Sequence, residues 1–365
     1  MNKVGILGGG QLGRMMIIEG RNLPVEFIVL DDDPLSPACK VADKCYKIGE
    51  YRKMINECDV VTYEFEHVSE EALNYASHKG KLIPYINSIE IKRERVKERE
   101  FFKSINVPQP KFEIAKSWGE AIEFVKREFN GRAVVKSSKG GYDGKGQYYF
   151  LNGNENYLVE KEDNFVVEEY VDFDFEASVI ISRGLKGEVK IYEPMINVNM
   201  KGVLVYSYGF YRGSLVNDMK RIAEKIVDNL NYIGVLAVEF FVKGNRVLVN
   251  EIAPRVHNTG HYTLDSTIPS QFEQHLRAIL GIPLADIEFL SNPGMVNILG
   301  LNLNEVDIMS LSKIGKVYWY GKEKVFPRRK MGHINTWGKS MEEVIRKIKE
   351  ILELLYGREL NRLIL

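Results

Sequence analysis

The stretch GVLAVEFFVKGNRVLVNEIAPRVHNTGHYT, residues 234–263, constrains the chain more than any other. Apolar and β-branched residues flank KGN, a turn-forming cluster, so 235–242 and 246–252 read as the strands of a hairpin. Each carries one acid, Glu239 and Glu251, and Asn250 precedes the second. Register decides what the acids do, because a slip of one residue moves every side chain to the other face. With a three-residue loop of Gly244, Asn245 and Arg246, Lys243 pairs with Val247 and Glu239 lies opposite Glu251. A two-residue loop puts the acids on opposite faces.

Facing carboxylates in an apolar sheet repel and are costly to desolvate, so the first register calls for a cation between them. Two carboxylates and an amide make an all-oxygen set suited to Mg²⁺ or Mn²⁺, and Mg²⁺ held this way brings substrate phosphates with it. The hairpin therefore predicts a nucleoside triphosphate. The alternative is a surface ribbon with solvated acids, but VLAVEFFV and RVLVNEI are too apolar on both faces for one.

At 365 residues the chain exceeds one hydrophobic core, and two or three domains are expected. Fifty basic and fifty acidic residues cancel, leaving no overall field to hold nucleic acid or an anionic membrane. The start MNKVGILGGG enters a strand without the pattern of a signal peptide, and no apolar stretch is long enough to span a bilayer. Cys39, Cys45 and Cys58 lack metal-type spacing, so a cytoplasmic protein with the thiols as small packing residues is the expectation.

VGIL leads into GGGQLGRM, where Gly8, Gly10 and Gly13 have GxGxxG spacing, and FIVLDDD follows with Asp31 at the end of a second strand. Taken alone, this suggests a dinucleotide fold with phosphate at a helix N-terminus and an acid on the ribose. VVTYEFEHV, bearing Glu64 and Glu66, and KLIPYI read as further strands of a parallel sheet of about 85 residues, short for a complete NAD site. Residues 88–104, dense in charge, read as a solvated connecting helix. RAVVKSSKGGYDGKGQYYF is a strand carrying Lys136, a glycine loop and a second strand; the loop's N–H groups can surround phosphate, with Lys136 and Lys145 adding charge. Its spacing is not that of a P-loop. FVVEEYVDFDFEASVII reads as strand, short crossing and strand. His257 and His261 stand four apart, but Asn258, Thr259 and Gly260 between them favour a loop touching substrate over a zinc pair. Capping boxes are expected at Ser117, Ser270 and Ser340, the last opening a helix that stops at Gly357.

This order of parts resembles the ATP-grasp superfamily and, within it, the N5-carboxyaminoimidazole ribonucleotide synthase family, through GGGQLGRM, YEFEHV, KGGYDGKGQ, NEIAPRVHNTGHYT, SQFEQHLRAI and RRKMGHIN. The resemblance spans essentially the whole chain. It implies a mixed α/β and α+β architecture: a Rossmann-like domain over 1–88, an ATP-grasp domain over 89–290 with a lid at about 107–172, and a small β-rich C-terminal domain over 291–365. It implies ATP-dependent carboxylation of 5-aminoimidazole ribonucleotide by bicarbonate, through carboxyphosphate, with Mg²⁺ or Mn²⁺ on Glu239 and Glu251. For ATP it implies Arg95, Lys136, Gly141, Tyr142, Asp143, Gly144, Lys145, Gly146, Gln147, Glu168, Glu169, Tyr170, Val171, Glu176, Asn250 and Glu251. For the ribonucleotide it implies Gln11, Leu12, Glu64 or Glu66, Tyr142, Asn258, Lys322, Arg329 and Lys330; for chemistry, Asp143, Lys145, His257 and Lys322, with Asp143 or His257 as the base. A homodimer that hands its product to the carboxyaminoimidazole ribonucleotide mutase also follows from the resemblance.

Two positions depart from the family pattern: Lys145 stands where arginine is frequent, and Asn199 where histidine is common. The rival readings are an NAD-dependent oxidoreductase built on the first glycine turn, a nucleotide-binding protein without activity, and an ATP-grasp ligase for another carboxylate and amine.

Overall fold

The computed structural model describes residues 2–140, 146–152, 155, 157, 159 and 163–357. The first unit is a four-stranded parallel sheet, β1 (Asn2–Leu7), β2 (Val25–Leu30), β3 (Lys44–Tyr46) and β4 (Val60–Tyr63), in the order β3-β2-β1-β4. Alternate residues of each strand bury on opposite faces. Val4, Ile6, Phe27 and Val29 pack under α1 (Gln11–Gly20), while Leu7, Ile28 and Leu30 meet α2 (Tyr51–Glu57) and α3 (Glu70–His78) through Met54, Ile55, Leu73 and Ala76. KLIPYI adds only a single bridge, Val61 to Leu82, where a full strand was expected. Cys39 and Cys45 are joined in a disulfide across a short turn, Cα atoms 5.5 Å apart. The expectation of free packing thiols therefore holds for buried Cys58 alone.

The charged stretch is not one solvated helix. It divides into α4 (Ile86–Arg93) and α5 (Arg95–Ser104) at Glu94, whose backbone is extended and bridges Lys139. Glu98 and Arg99 are buried beside Phe102, because their charges find partners from distant parts of the chain.

A second sheet, in the order β5-β8-β6-β7, is formed by β5 (Phe112–Ala115), β6 (Ala133–Ser137), β7 (Gln147–Phe150) and β8 (Phe165–Glu169). It packs on α6 (Trp118–Phe129) through Ala121, Val125 and Phe129. Ser117 caps α6 by accepting from the Glu120 N–H at 3.2 Å, but the Glu120 carboxylate accepts from Lys116 N–H, so only half of the expected box forms.

The third sheet holds the hairpin. Its strands are β9 (Phe175–Arg183), β10 (Val189–Ile191), β11 (Met195–Met200), β12 (Val203–Tyr208), β13 (Gly234–Lys243) and β14 (Arg246–Ala253), with α7 (Val216–Asn229) between β12 and β13. Met219, Ile222, Ala223 and Ile226 of α7 cover one face over Val179, Leu236 and Val238, each large side chain worth about 2 kcal/mol on burial. After β14 come α8 (Thr263–Ser266), the short pair β15 (Thr267–Ile268) and β16 (Glu288–Phe289), and α9 (Gln271–Leu280), capped by Ser270. α9 lies between the central sheet and α1, sharing one core with both. The approach is close enough that a Cβ on Gly20 would stand 2.6 Å from Leu276 Cδ1.

The C-terminal segment continues the same sheet. β17 (Asn292–Leu299) pairs with β12, and β19 (Lys330–Gly338) and β18 (Lys316–Trp319) follow outward, with the short helix α10 (Ile308–Leu311) between β17 and β18. Its own core lies beneath α11 (Met341–Tyr356), which Ser340 opens and Gly357 closes. Among the described residues no helix is long and apolar enough to cross a membrane.

Candidate active site

The hairpin reaches the expected opposition of acids by another route. Its loop has two residues, Gly244 and Asn245, with Lys243 opposite Arg246, not the three-residue loop required above. In a regular ladder that register would place Glu239 across from Asn250. Instead a β-bulge intervenes: Phe240 pairs with Val249 and Glu239 with Glu251, leaving Asn250 as the extra residue. Asn250 and Glu251 thus both face Glu239, all three half-buried while their neighbours Val238, Phe240, Val249 and Ile252 are deeply buried.

Electrostatics bind these residues to the rest of the site. Burial, then the charge of Glu251 and that of Glu176, push the Glu239 carboxyl well up. Burial also opposes ionisation of Glu251, but Lys92, whose Nζ lies 2.5 Å from its Oε2, reverses this and holds it down, with Arg95 and Lys136 adding to the effect. Glu239 also feels Lys330, and its Oε1 lies 3.5 Å from His257 Nε2. One region therefore collects the hairpin acids, Lys136 of β6, Arg95 of α5, Glu176 of β9 and Lys330 of β19.

Lys136 and Glu168 form a buried pair, Nζ to Oε2 2.8 Å, and Arg99 Nε reaches Glu168 Oε1 at 2.7 Å. Burial pulls Lys136 down, while Arg99 and Lys136 overcome the effect of burial on Glu168 and hold that carboxyl at about 2. Arg95 donates from its main chain to Ser138 O at 2.9 Å and from Nη1 to Ser137 O at 2.7 Å, which fixes it against the end of β6. Glu176 accepts from Asn199 Nδ2 at 2.8 Å, so the asparagine at this departure from the family pattern orients an acid of the site. Gly146 accepts from Ser137 N–H, Gln147 pairs with Lys136, and Glu169 accepts from Lys111 N–H. Tyr170 packs on Arg132, with Val171 following at the exit of β8. Gly141, Tyr142, Asp143, Gly144 and Lys145 lie outside the described residues.

The first glycine turn has a different occupant from the one its spacing suggests. Gly9 N–H donates to Asp31 Oδ2 at 2.8 Å, Gly10 N–H to Glu64 Oε1 at 2.8 Å, and the Leu12 and Gly13 N–H groups to Glu64 Oε2 at 3.2 and 3.3 Å. A carboxylate from β4's end satisfies the helix N-terminus where a dinucleotide would place its pyrophosphate. That arrangement removes the basis of the oxidoreductase reading. Gln11 opens α1 half-buried, and Leu12 is buried. Glu66, also buried, pairs with Arg255 at 2.9 Å.

Asn258 exchanges reciprocal amide hydrogen bonds with Asn297 at 3.0 and 2.7 Å, tying the loop after β14 to β17. His257 Nδ1 meets Thr259 Oγ1 at 2.9 Å, and His261 is fully buried, its ring 4.6 Å from that of His333. These contacts fit the loop expected here. Lys322 donates to Lys330 O at 2.7 Å and lies near enough for its charge to bear on Glu64. Arg329 instead turns to Lys324 O and the Phe326 ring.

The donor set suits a divalent cation. Two opposed carboxylates with an amide beside them, one left repelling the other, offer hard oxygen ligands, and among the described residues no third acid, histidine or cysteine completes a metal-ligating group with them. Such a set leaves most of the coordination sphere for phosphate oxygens and water.

The sequence reading missed Lys92, Glu98, Arg99 and Arg255. Lys92 lies 3.4 Å from Glu98 Oε1, which accepts from Ile252 N–H at 3.0 Å. The one local signal was spacing: Glu98 and Arg99 stand one turn before buried Phe102 and so share its face.

Comparison with known proteins agrees with this fold. Residues 1–93 match the ribonucleotide synthetase preATP-grasp domain, 100–272 the ATP-grasp domain, and 294–347 the phosphoribosylaminoimidazole carboxylase C-terminal domain. Fold and site together define an ATP-grasp enzyme, an ATP-dependent ligase. The chain is 51% identical to N5-carboxyaminoimidazole ribonucleotide synthase of Saccharolobus solfataricus, over 98% of this chain and 97% of that protein, and 43% identical to that of Aquifex aeolicus, over 98% of each. Solved relatives include the N5-carboxyaminoimidazole ribonucleotide synthetase of Thermus thermophilus, with a TM-score of 0.88 at 32% identity over 96% of this chain and 98% of that one. The Aspergillus clavatus enzyme, in complex with ADP and 5-aminoimidazole ribonucleotide, superposes with a TM-score of 0.86 at 26% identity over 97% and 98%. The chain belongs to the N5-carboxyaminoimidazole ribonucleotide synthase family.

Proposed function

We propose that the chain carboxylates the exocyclic amine of 5-aminoimidazole ribonucleotide with bicarbonate, using ATP and releasing ADP and phosphate. The observation that carries this reading is the bulge that sets Asn250 and Glu251 against Glu239 within electrostatic reach of Lys136, Arg95 and Lys330. Bicarbonate is a poor carboxyl donor, so one of its oxygens first takes the γ-phosphoryl group and ADP leaves. The amine then forms a bond to the carboxyl carbon of carboxyphosphate, the C–O bond to phosphate breaks, and a base removes one proton from nitrogen. Glu239 and Glu251 would hold a divalent cation, which supplies neutralisation of charge on the phosphoryl group in transfer. Lys136, paired with Glu168, is assigned to add a fixed cation there.

Lys322 and Lys330, joined through the Lys330 carbonyl, are assigned with Arg329 to the ribonucleotide phosphate. Gln11 and Leu12 flank that side of the site, and Glu64 is assigned to hold the turn that presents them. His257, facing Glu239, and Asp143 are the candidates for the base. Carboxyphosphate hydrolyses in water, which gives the loop at 141–147 the task of excluding it. The reading includes a cytoplasmic homodimer that passes its labile product to the carboxyaminoimidazole ribonucleotide mutase. The test is ADP release with bicarbonate and aminoimidazole ribonucleotide omitted in turn. Turnover should require both, and turnover indifferent to both would overturn the assignment.

A further inference from the structure

Arg99 touches both halves of the site, although no element of the reaction as described above uses it. β14 is an edge strand, with β13 on its inner side. Its outer main-chain groups meet the 98–109 segment in place of another strand. Val249 N–H donates to Pro108 O at 2.8 Å. The carbonyls of Val249 and Asn250 accept from Arg99 Nη1 at 3.2 Å and Nη2 at 2.7 Å. Ile252 N–H, just beyond the bulge, is taken by Glu98. Two consecutive residues of α5 thus bracket the extra residue of the hairpin, one by donating and one by accepting.

The third edge of the same guanidinium points the other way. Nε donates to Glu168 Oε1 at 2.7 Å, and the other oxygen of Glu168 accepts from Lys136 Nζ. The Arg99 side chain is 3% exposed, and Gln109 Nε2 holds its carbonyl at 3.1 Å. Because the guanidinium is planar and its donors rigidly disposed, the Asn250 carbonyl and the Glu168 carboxylate are held in one plane at a fixed separation. A bulge between two repelling acids needs such a tether. Migration by one residue would return the ladder to the register in which Asn250, not Glu251, faces Glu239.

We propose that Arg99 is a positioning residue, which pins the bulge at Asn250 and, through Glu168, the ammonium of Lys136, so that acids and lysine form one frame around a divalent cation and a triphosphate. This rests on the reading of the site given above. Lysine at this position supplies the charge that Glu168 needs but cannot bond three acceptors in one plane.

Mn²⁺ binding followed by electron paramagnetic resonance in the presence of ADP, together with ADP binding by calorimetry in EDTA, tests the proposal. Arg99→Lys should fold and bind ADP in EDTA within about twofold of wild type, while Mn²⁺ affinity falls about tenfold or more. In steady state kcat should fall with the KM for aminoimidazole ribonucleotide unchanged within about twofold, a split that a general loss of folded protein does not give. Wild-type Mn²⁺ affinity in Arg99→Lys overturns the proposal. If that variant does not fold, Glu168→Gln is the second test: it keeps an acceptor for Nε but removes the charge that anchors it, and Mn²⁺ affinity should fall about threefold or more. An unchanged affinity there overturns the link to Lys136. Glu251→Gln separates this proposal from the reading beneath it, because Mn²⁺ binding equal to wild type in that variant would mean that the hairpin holds no metal, whatever Arg99 does.

Discussion

Replacing Glu168 by glutamine removes one negative charge from between two buried cations without changing the shape of the side chain. Glu168 is 2% exposed, with Arg99 at 2.7 Å and Lys136 at 2.8 Å. Its carboxyl is held at about 2, against an ordinary value of 4.5, because the two cations outweigh the opposing effect of burial. At about 1.4 kcal/mol for each tenfold change in proton affinity, that fall is worth about 3 kcal/mol, in the range expected for breaking a buried ion pair. A folded value below the unfolded one means stability present above pH 4.5 and lost as pH falls towards about 2. At pH 7, Glu168→Gln should therefore speed hydrogen exchange of the Val135, Lys136, Val166 and Val167 amides, the paired centre of β6 and β8, by on the order of a hundredfold. The difference between variant and wild type should hold from pH 7 to about 5.5 and close below 4.5. A change under about threefold at pH 7, or a gap of the same size at pH 3, would refute the reasoning.

Glu251→Gln should remove the tightening of ADP binding by Mg²⁺, about tenfold or more, in calorimetry with and without EDTA, and Glu251→Ala should abolish ADP release. Chelation of metal from the wild-type protein should stop ADP release and restore it on adding Mg²⁺, read in a coupled assay. Gly10→Ala places a Cβ 2.3 Å from Glu64 Oε1, displacing the carboxylate from three N–H groups; a loss of about 1–3 kcal/mol should appear as a lower Tm in calorimetry. Titration with NADH should give no saturable fluorescence change, since the first glycine turn is already filled by Glu64 and Asp31.

What was legible in the sequence was local. Serine caps at 117, 270 and 340 and the hairpin strands are set by neighbours within a few residues, and all are found where spacing put them. The opposition of Glu239 and Glu251 was inferred for a three-residue loop, yet a two-residue loop and a bulge produce it. A bulge has no signature when its edge carbonyls are satisfied by an arginine about 150 residues away. For the same reason 88–104 looked solvated: its charges pair with Glu168 and Glu251, and distance along the chain hides such pairs from any periodicity. Glycine spacing identified the βα turn correctly but not its occupant, because Glu64 arrives from a different strand.

The ladder from β14 to β18 runs unbroken through the join at Tyr206–Tyr208 and Gly294–Val296. A chimera that exchanges the last seventy or so residues for those of a cousin must therefore match three backbone pairings, not merely a linker. A chain cut before β17 would leave the flank of β12 bare, an open template for a neighbouring molecule, and should precipitate instead of surviving as a shortened enzyme.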